Sequence, residues 1–503
     1  MKSTSLILCL FFSIWTITQE HDHPVPEKLG TVSFPTSCSP SVQQKFERAV
    51  ALLHSFAYSG SERAFRDVAS ADPKCAMAHW GIAMSFYHQL WEPWISPANL
   101  QSGSSELTQA EQLGGTDRER QYIAALSAYY NDYQHLSPQA RAKNYTERMS
   151  TVARDNPDDS EAQVFYALAL VSTASAMDKT HPNQKKAADI LELLYKKYPQ
   201  HPGIAHYLIH SYDSTELAPR GLAAAREYSK IAPSAPHALH MPSHIFTRLG
   251  LWDDSIASNL AARVAAHQYG DIGEELHAMD YLTYAYLQRG RDADAGKVIE
   301  DLRSQSALSA GDFKIGYAAT AMPARYAVER RDWGAAAKIQ PLPGSAPHVA
   351  AIAHWARALG LARTGQVNDA NAEVLALATC LEQAKTSGSA YWQTQVHVLN
   401  LEAQAWTAFA AKRSDEATRL LRAAADEEDS IEKLPVTPGP IVPAREQLGD
   451  LFLQLNKPSE ALREFEASLV DAPLRRGALQ GAAKSSELLG NTSKAKQYRA
   501  SLD

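Results

Sequence analysis

Histidines are concentrated in one short stretch of this sequence. Residues 201–244 hold a third of the eighteen histidines in less than a tenth of the chain. Imidazole nitrogens bind transition metals and change their charge near neutral pH, so a cluster of them is a candidate site for chemistry. The six members are His201, His206, His210, His237, His240 and His244.

The spacing of these histidines repeats along the chain. His206 and His210 lie seven and eleven residues after Pro199. His240 and His244 have the same offsets from the proline at position 233. Since a step of four residues returns to the same face of an α-helix, each pair is predicted to project from one helix face. Equivalent positions in neighbouring repeat units therefore carry equivalent side chains.

A third predicted helix extends the pattern. Counted back from Gly290, positions six, ten and thirteen hold Tyr284, Asp280 and His277. Counted back from Gly250, the same three positions hold the histidines at 244, 240 and 237. Helices that pack side by side have axes about 8–10 Å apart, so we expect side chains from these three helices to meet.

Transition-metal binding is one chemistry that this set fits. Two imidazoles four residues apart, completed by His or Asp from the next helix, suit divalent zinc, copper or iron. An open coordination position would let the metal activate water, and a tyrosine such as Tyr207, Tyr212 or Tyr284 could orient a substrate. The candidate ligands are His206, His210, His237, His240, His244, His277 and Asp280, with Asp213 as a further carboxylate.

Two other interpretations of the cluster stay open. The histidines fit a proton-sensitive binding site for an anionic or peptide ligand, because imidazole titrates between pH 5 and 8 without special help. They also fit a polar lining in which the rings hydrogen-bond to one another, to tyrosine hydroxyls and to Asp280. A binding protein and a metal-dependent hydrolase or oxidoreductase therefore both remain candidates.

Composition excludes several other classes of protein. The chain has 503 residues with 49 basic and 56 acidic side chains, a net charge of −7, which does not fit a nucleic-acid partner. Glycine-rich phosphate loops, His-Glu-x-x-His and Gly-x-Ser-x-Gly are absent from the sequence. The common nucleotide-binding, zinc-protease and serine-hydrolase motifs therefore do not account for the histidines.

The elements that must position the histidines form a helical repeat. The prolines at 199 and 233 are 34 residues apart, the length of one helix-turn-helix unit, and a helix that ends in a glycine turn and leads to a second helix recurs at 276–290 and 351–365. Near the end, Leu448, Gly449, Phe452, Ala461, Phe465 and Pro473 have the offsets of the tetratricopeptide signature. The chain therefore resembles tetratricopeptide-repeat (TPR) proteins, and the predicted fold class is an all-α, right-handed superhelical solenoid of such repeats.

Several longer stretches of the sequence resemble a more specific group, the exported bacterial TPR proteins of uncharacterised function. These stretches include Phe34-Pro-Thr-Ser-Cys38, residues 201–210 and residues 237–246. In TPR folds the first helix of each repeat turns the face that here carries the histidines toward the concave groove. The resemblance therefore implies a His-rich groove that binds a peptide, a protein or a small ligand. Further predicted groove residues are Tyr207, Tyr212, Tyr284 and Arg325.

The first twenty residues have the profile of a secretory signal. Lys2 precedes an apolar run at 6–15 that is too short to span a bilayer, so we expect an extracytoplasmic protein, periplasmic or secreted, with no transmembrane segment after removal of the signal.

In an extracytoplasmic compartment Cys38 and Cys75 could form a disulfide; two buried thiols are the alternative. The predicted segments are a signal at 1–20, an extended segment at 21–40, a repeat body at 41–434, a Pro-rich connection at 435–443 and a C-terminal TPR pair with its cap at 444–503.

Pro242 lies between two of the clustered histidines. A proline inside a helix removes one backbone hydrogen bond and costs about 3 kcal/mol unless the helix kinks or starts there. The sequence therefore predicts a kink or a new helix at Pro242, which would change the direction in which His240 and His244 point.

Overall fold

The computed structural model describes residues 27–90, 95–306, 308–386 and 389–502. Helices make up 73% of the described residues and strands are absent from them, so the prediction of an all-α stack of helix pairs is confirmed. The predicted signal at 1–20 lies outside these ranges. No described helix is long and apolar enough to cross a bilayer.

The elements follow one another with short connections. The first are a 3-10 turn at Pro40–Val42 and helices α1 (Gln43–His54), α2 (Tyr58–Ala71), α3 (Ala76–Ser85), α4 (Pro97–Leu113), α5 (Asp117–Tyr130), α6 (Pro138–Asp155), α7 (Ser160–Ser172), α8 (Pro182–Lys197), α9 (Pro202–Tyr212), α10 (Ala218–Ile231), α11 (Pro236–His240) and α12 (Pro242–Arg248). The others are α13 (Trp252–Tyr269), α14 (Ile272–Gln288), α15 (Asp292–Ser304), α16 (Phe313–Glu329), α17 (Trp333–Ala336), α18 (Pro347–Arg363), α19 (Val367–Thr386), α20 (Ala390–Ala410), α21 (Ser414–Glu428), α22 (Ala444–Gln454), α23 (Pro458–Asp471), α24 (Arg476–Leu488) and α25 (Thr492–Ala500).

Successive helices pack as antiparallel pairs, and the first helix of each pair also contacts the first helix of the next. Around the histidines this gives contacts of α9 with α12, of α11 with α14, and of α14 with α16. Proline at the first position starts α9 and α11 because its missing N–H has no partner there in any helix. The histidine-bearing helices therefore lie side by side.

The helix that carries the second histidine pair is divided at Pro242. Helix α11 ends at His240, Met241 keeps helical angles of −52° and −36°, and α12 begins at Pro242 as predicted. Pro323, by contrast, lies inside the uninterrupted helix α16. The break separates His240 and His244 onto two short helices.

Two distant parts of the chain close over the same region. The end of α1 contacts α9, and the C-terminal helix α24 contacts α14. Trp252 Nε1 donates to the Leu474 carbonyl at 3.1 Å, which attaches the C-terminal helices to the middle of the stack. The predicted Pro-rich connection, residues 435–443, is irregular backbone between α21 and α22 and runs along α14 and α16. Near the N-terminus, Cys38 and Cys75 form a disulfide.

Candidate metal centre

One group of three histidines lies where α9 and α11 meet. His206 and His210 are one turn apart on α9, and His237 comes from the start of α11. One ring nitrogen of each lies within 4.8 Å of the others, and the Nε2 atoms of His206 and His210 are 3.1 Å apart. We call these residues the first triad.

A second group repeats this arrangement one unit further along the chain. His240 at the end of α11 and His244 on α12 bring their Nε2 atoms to 3.0 Å, and His277 on α14 completes the group within 4.8 Å. We call these residues the second triad. Each triad takes two rings at a four-residue spacing from one repeat unit and its third ring from the next unit.

In the second triad, two ring nitrogens face each other with lone pairs. The Nδ1 of His244 donates to Oδ2 of Asp213 at 2.9 Å, since a carboxylate can only accept. The Nδ1 of His240 donates to Oδ1 of Asn259 at 2.6 Å, and the Asn259 amide nitrogen donates to the Ser255 carbonyl at 2.8 Å, which sets the amide orientation. A neutral imidazole that donates from Nδ1 keeps a lone pair on Nε2, so two acceptors meet across 3.0 Å.

Hydrogen bonds from Nδ1 atoms also orient two rings of the first triad. The Nδ1 of His206 donates to the His54 carbonyl at 2.6 Å, and the Nδ1 of His237 donates to Oε2 of Glu274 at 3.0 Å. Metal-binding histidines almost always donate their other N–H to a carboxylate or a carbonyl, which orients the ring. Both triads thus contain rings that are oriented as metal ligands are.

The spacing of the facing nitrogens is close to that of metal ligands. A tetrahedral ion with metal–nitrogen bonds of about 2.0–2.1 Å holds its ligand nitrogens about 3.3 Å apart. The observed separations of 3.1 Å and 3.0 Å are slightly shorter. In the second triad, where both Nδ1 atoms donate, the two Nε2 lone pairs repel each other at this distance unless a cation or a proton lies between them.

The two triads adjoin and form one six-histidine centre. The ring centroids of His210 and His244 are 5.8 Å apart, and those of His237 and His240 are 6.0 Å apart. Each of these contacts joins a ring of the first triad to a ring of the second. The rings are between 0% and 5% exposed, so they lie inside the protein and do not line an open groove.

An aromatic side chain from the N-terminal part of the chain covers the first triad. The ring centroid of Phe56, which follows the end of α1, lies 4.4 Å, 5.8 Å and 5.3 Å from the rings of His206, His210 and His237. The turn after α1 therefore packs against all three rings of the first triad.

The second triad is covered by the segment that precedes α22. The Tyr281 hydroxyl lies 3.4 Å from Nδ1 of His244 and donates to the carbonyls of Pro435 and Thr437, at 3.1 Å each. The Pro-rich connection thus lies against the centre in addition to joining the C-terminal helices to the body of the chain.

Acidic groups around the centre are balanced by basic groups. Asp213 accepts from Lys433 at 2.9 Å and from Arg248 at 3.0 Å, while Glu274 pairs with Lys314. Burial alone would raise the pKa of Asp213, but Lys433 and Arg248 hold it well below its ordinary value. Asp213 and Glu274 are therefore ionised and neutralised by their own partners.

Burial favours the neutral form of five of the six rings of the centre. Desolvation lowers the pKa of His244 to about 4, although the hydrogen bond to Asp213 acts to raise it. Desolvation, with a further contribution from neighbouring histidines, lowers the pKa of four other rings well below the ordinary value. The four are His206, His210, His240 and His277.

A cavity of about 690 Å³ reaches the centre at His210 and Asp213. Its volume is in the range of pockets that hold small organic molecules. Trp392 and His348 stack at 4.2 Å in its wall, and Lys433 also lines it. A small molecule in this cavity would lie beside the first triad.

A third group of titratable side chains provides a contrast. Glu161 accepts from Nε2 of His54 at 2.8 Å and from Nε2 of His201 at 2.7 Å, and Nδ1 of His54 contacts the Tyr207 hydroxyl at 2.9 Å. Each of these nitrogens faces an oxygen that can pair with it, so no lone pairs conflict. This group is a hydrogen-bonded part of the core, and it contains Tyr207, one of the predicted groove residues.

The remaining predicted site residues lie outside the centre. Asp280 is fully buried with its carboxylate 3.8 Å from Nε of Arg325, and burial raises its pKa to about 6. Asp280 lies three residues after His277 on α14, so its side chain is rotated by about 60° around the helix axis from that of His277. It therefore contacts α16 instead of the rings. Arg325 donates to the carbonyls of Gly439 and Pro440 and lies 4.6 Å from the ring of Tyr284.

Tyr212 also lies away from the histidines, because its hydroxyl donates to Glu192 of α8. Two important contacts of the centre carry little signal in the sequence, and a third carries some. Phe56 lies in the turn after α1 and Asn259 on α13, and neither shares a spacing with the histidines, whereas Glu274 lies one turn before His277 and could have been found on that ground. The sequence therefore indicated the rings better than it indicated the groups that orient them.

Comparisons with known proteins concern the helical architecture. No family model matches the sequence, and no curated protein matches it. The human IFIT1 dimer with m7Gppp-AAAA is similar over 85% of this chain and 89% of its own, at 11% identity and a TM-score of 0.32. The P58(IPK) TPR domain is similar over 90% and 99%, at 13% identity and a TM-score of 0.23. Naa15/Naa10 bound to HypK-THB is similar over 91% and 62%, at 13% identity and a TM-score of 0.23. At these TM-scores none of the three indicates a function for this chain.

Proposed function

We propose that this protein is a metalloprotein whose six-histidine centre binds two transition-metal ions, one in each triad, beside a cavity for a small organic molecule. The observation that carries the proposal is the pair of lone-pair nitrogens on His240 and His244, which face each other at 3.0 Å. A buried arrangement of this kind is stable when a cation joins the two nitrogens.

The orientation of the rings supports the same function. Asp213 and Asn259 take the Nδ1 protons in the second triad, and the His54 carbonyl and Glu274 take them in the first. This leaves the Nε2 atoms to bind metal. Zinc, copper and iron all accept imidazole nitrogen, so the geometry supports each of them as an occupant.

A second candidate function is the binding of a ligand without metal. The cavity of about 690 Å³ favours a small molecule for that role over a peptide, because the histidines themselves are buried. Binding of a peptide or protein partner stays a prediction. In this alternative the rings only line a binding site, and removing them leaves the metal content unchanged.

Metal analysis distinguishes the two candidates. Protein purified without a polyhistidine tag, from cells grown with added zinc, copper and iron, should contain two ions per chain by mass spectrometry of the elements. His240→Ala with His244→Ala should contain one, and adding His206→Ala with His210→Ala should remove the other. His354→Ala, in which a half-buried ring that contacts Glu373 is removed, is the matched control and should keep both ions.

A folding control makes the outcome decisive. Far-ultraviolet circular dichroism should show native helix content in every variant, and glutamine variants at the same positions replace any alanine variant that does not fold. Wild-type protein without stoichiometric metal under these conditions would overturn the proposal and leave ligand binding as the function.

A further inference from the structure

The donor atoms of the centre narrow the choice of metal. Both triads consist of imidazole nitrogens, and the nearest carboxylates, Asp213 and Glu274, lie behind the rings on the Nδ1 side. Paired iron or manganese ions in helical proteins are held largely by carboxylates. Among divalent ions at a nitrogen site, copper binds most tightly, and imidazole suits it. A set of six nitrogens without carboxylate therefore favours copper.

Charge supports the same metal. The salt bridges behind the rings join three carboxylates to three cations. They are Asp213, Glu274 and Glu432 with Arg248, Lys314 and Lys433. Imidazole ligands add no negative charge, so two divalent ions would bring four positive charges into a buried site whose ligands do not offset them. Such a charge is costly at low dielectric, whereas two cuprous ions bring only two.

We propose, on the basis of the metal centre put forward above, that the six histidines hold a pair of copper ions and that dioxygen is the reactant that binds between them. Each cuprous ion gives one electron to dioxygen. The O–O bond is reduced to a single bond, and two copper–oxygen bonds form to the resulting peroxide dianion. No proton is taken up or released.

This step preserves the charge of the buried site. Two cuprous ions carry a charge of two, and two cupric ions with one peroxide dianion carry the same charge. The protein therefore does not have to stabilise a new net charge when dioxygen binds, which matters because the rings are at most 5% exposed. Copper in this centre can thus change oxidation state without an added proton or counter-ion.

The two triads adjoin, as the binding of one diatomic molecule to both ions requires. The ring centroids of opposite triads lie 5.8 Å apart for His210 and His244 and 6.0 Å apart for His237 and His240. The cavity reaches the centre at His210, and the Phe56 ring packs against all three rings of the first triad. Dioxygen can therefore reach the centre through the cavity beside the first triad.

The test uses the full chain without a tag, freed of metal by a chelator and loaded with cuprous ion under nitrogen. We expect two copper ions per chain and uptake of one dioxygen molecule per copper pair on an oxygen electrode. The oxidised protein should show a peroxide-to-copper absorption band and almost no cupric electron paramagnetic resonance signal, because the two ions are magnetically coupled.

Variants separate the pair from single sites. His240→Ala with His244→Ala should keep one copper ion, lose dioxygen uptake and show an ordinary cupric resonance signal after oxidation by ferricyanide. His354→Ala should behave as wild type. A single-site signal of full intensity in the wild type, or copper loading without dioxygen uptake, would overturn the inference.

Competition distinguishes failure of this inference from failure of the proposed function. When apoprotein is offered equal zinc and cuprous ion under nitrogen, we expect two copper ions and little zinc. Two zinc ions per chain would refute the copper pair and leave the metal centre intact, whereas binding of neither metal would refute both.

Discussion

His240 and His244 bring their Nε2 atoms to 3.0 Å of each other, while the Nδ1 atom of each ring donates a hydrogen bond to a fixed acceptor. The acceptors, Asn259 and Asp213, leave no proton between the two facing nitrogens. The pair is therefore placed as two ligands of the proposed ion would be, and the groups behind the rings should control how tightly such an ion binds.

Asn259→Leu should weaken metal binding at the second triad by about 10- to 100-fold, because the His240 ring loses the acceptor that orients it. Chelator competition, with the two sites resolved as separate steps, measures the affinity. Asn400→Leu is the matched control, since Asn400 is also a buried asparagine on a helix but contacts no triad. Equal losses in the two variants would show that Asn259 has no specific effect on the metal.

Pro242→Ala should join α11 and α12 into one straighter helix and change the relative direction of His240 and His244. A helix without proline gains one backbone hydrogen bond, so the metal-free protein should become more stable, by up to about 3 kcal/mol in urea denaturation. Metal affinity at the second triad should nevertheless fall by about tenfold or more. Pro323→Ala, within the unbroken helix α16, should change stability in the same direction without loss of metal.

Glu428→Gln should make stability less dependent on pH. Burial and neighbouring carboxylates raise the Glu428 pKa to about 7, from 4.5 in the unfolded chain. Between those values the folded state holds more protons than the unfolded state, so the free energy of unfolding falls as pH rises from 4.5 to 7. The variant should match wild type near pH 4.5 and be about 1–3 kcal/mol more stable at pH 8.

Urea denaturation at several pH values measures this difference. Glu416→Gln, a substitution of an exposed carboxylate on the same helix, is the control and should run parallel to wild type. If Glu428→Gln and wild type kept a constant difference from pH 4.5 to 8, the raised pKa would be wrong.

Cys38→Ser with Cys75→Ser should destabilise the protein by about 3–4 kcal/mol, the loop-closure entropy expected for a crosslink across 37 residues. Denaturation in oxidising buffer measures the loss. Wild type with reductant should fall to the same value, and Cys380→Ser, which removes the buried unpaired thiol but keeps the bridge, should lose the same stability with reductant as wild type does. A wild type that is insensitive to reductant would show that the bridge contributes no stability.

Much of the architecture could be predicted because its signals are local. Proline and glycine mark the ends of α9 and α14, and the break at Pro242 follows from the missing backbone N–H. The four-residue spacing of His206 and His210 was enough to place both rings on one face. The repeated offsets were also enough to identify the two equivalent pairs.

The orientation of the carboxylates could not be predicted from spacing. Asp280 shares the repeat position of His240, yet its side chain meets Arg325 across the next helix pair. Asp213 follows α9 without any periodic signal, and its partners Lys433 and Arg248 come from remote parts of the chain. Which carboxylate accepts a hydrogen bond from a ring of the centre depends on side-chain packing between repeat units.

The sequence by itself determined the helical repeat, the helix breaks and the two in-register histidine pairs, because helix geometry acts over a few residues. Only the tertiary structure decided that His237 and His277, and not Asp280, complete the two pairs, and that the end of α1 and the Pro-rich connection bury the centre. The physical reason is distance along the chain. The hydrogen bond from His206 to the His54 carbonyl spans 152 residues and that from Tyr281 to the Thr437 carbonyl spans 156, so no local spacing encodes them.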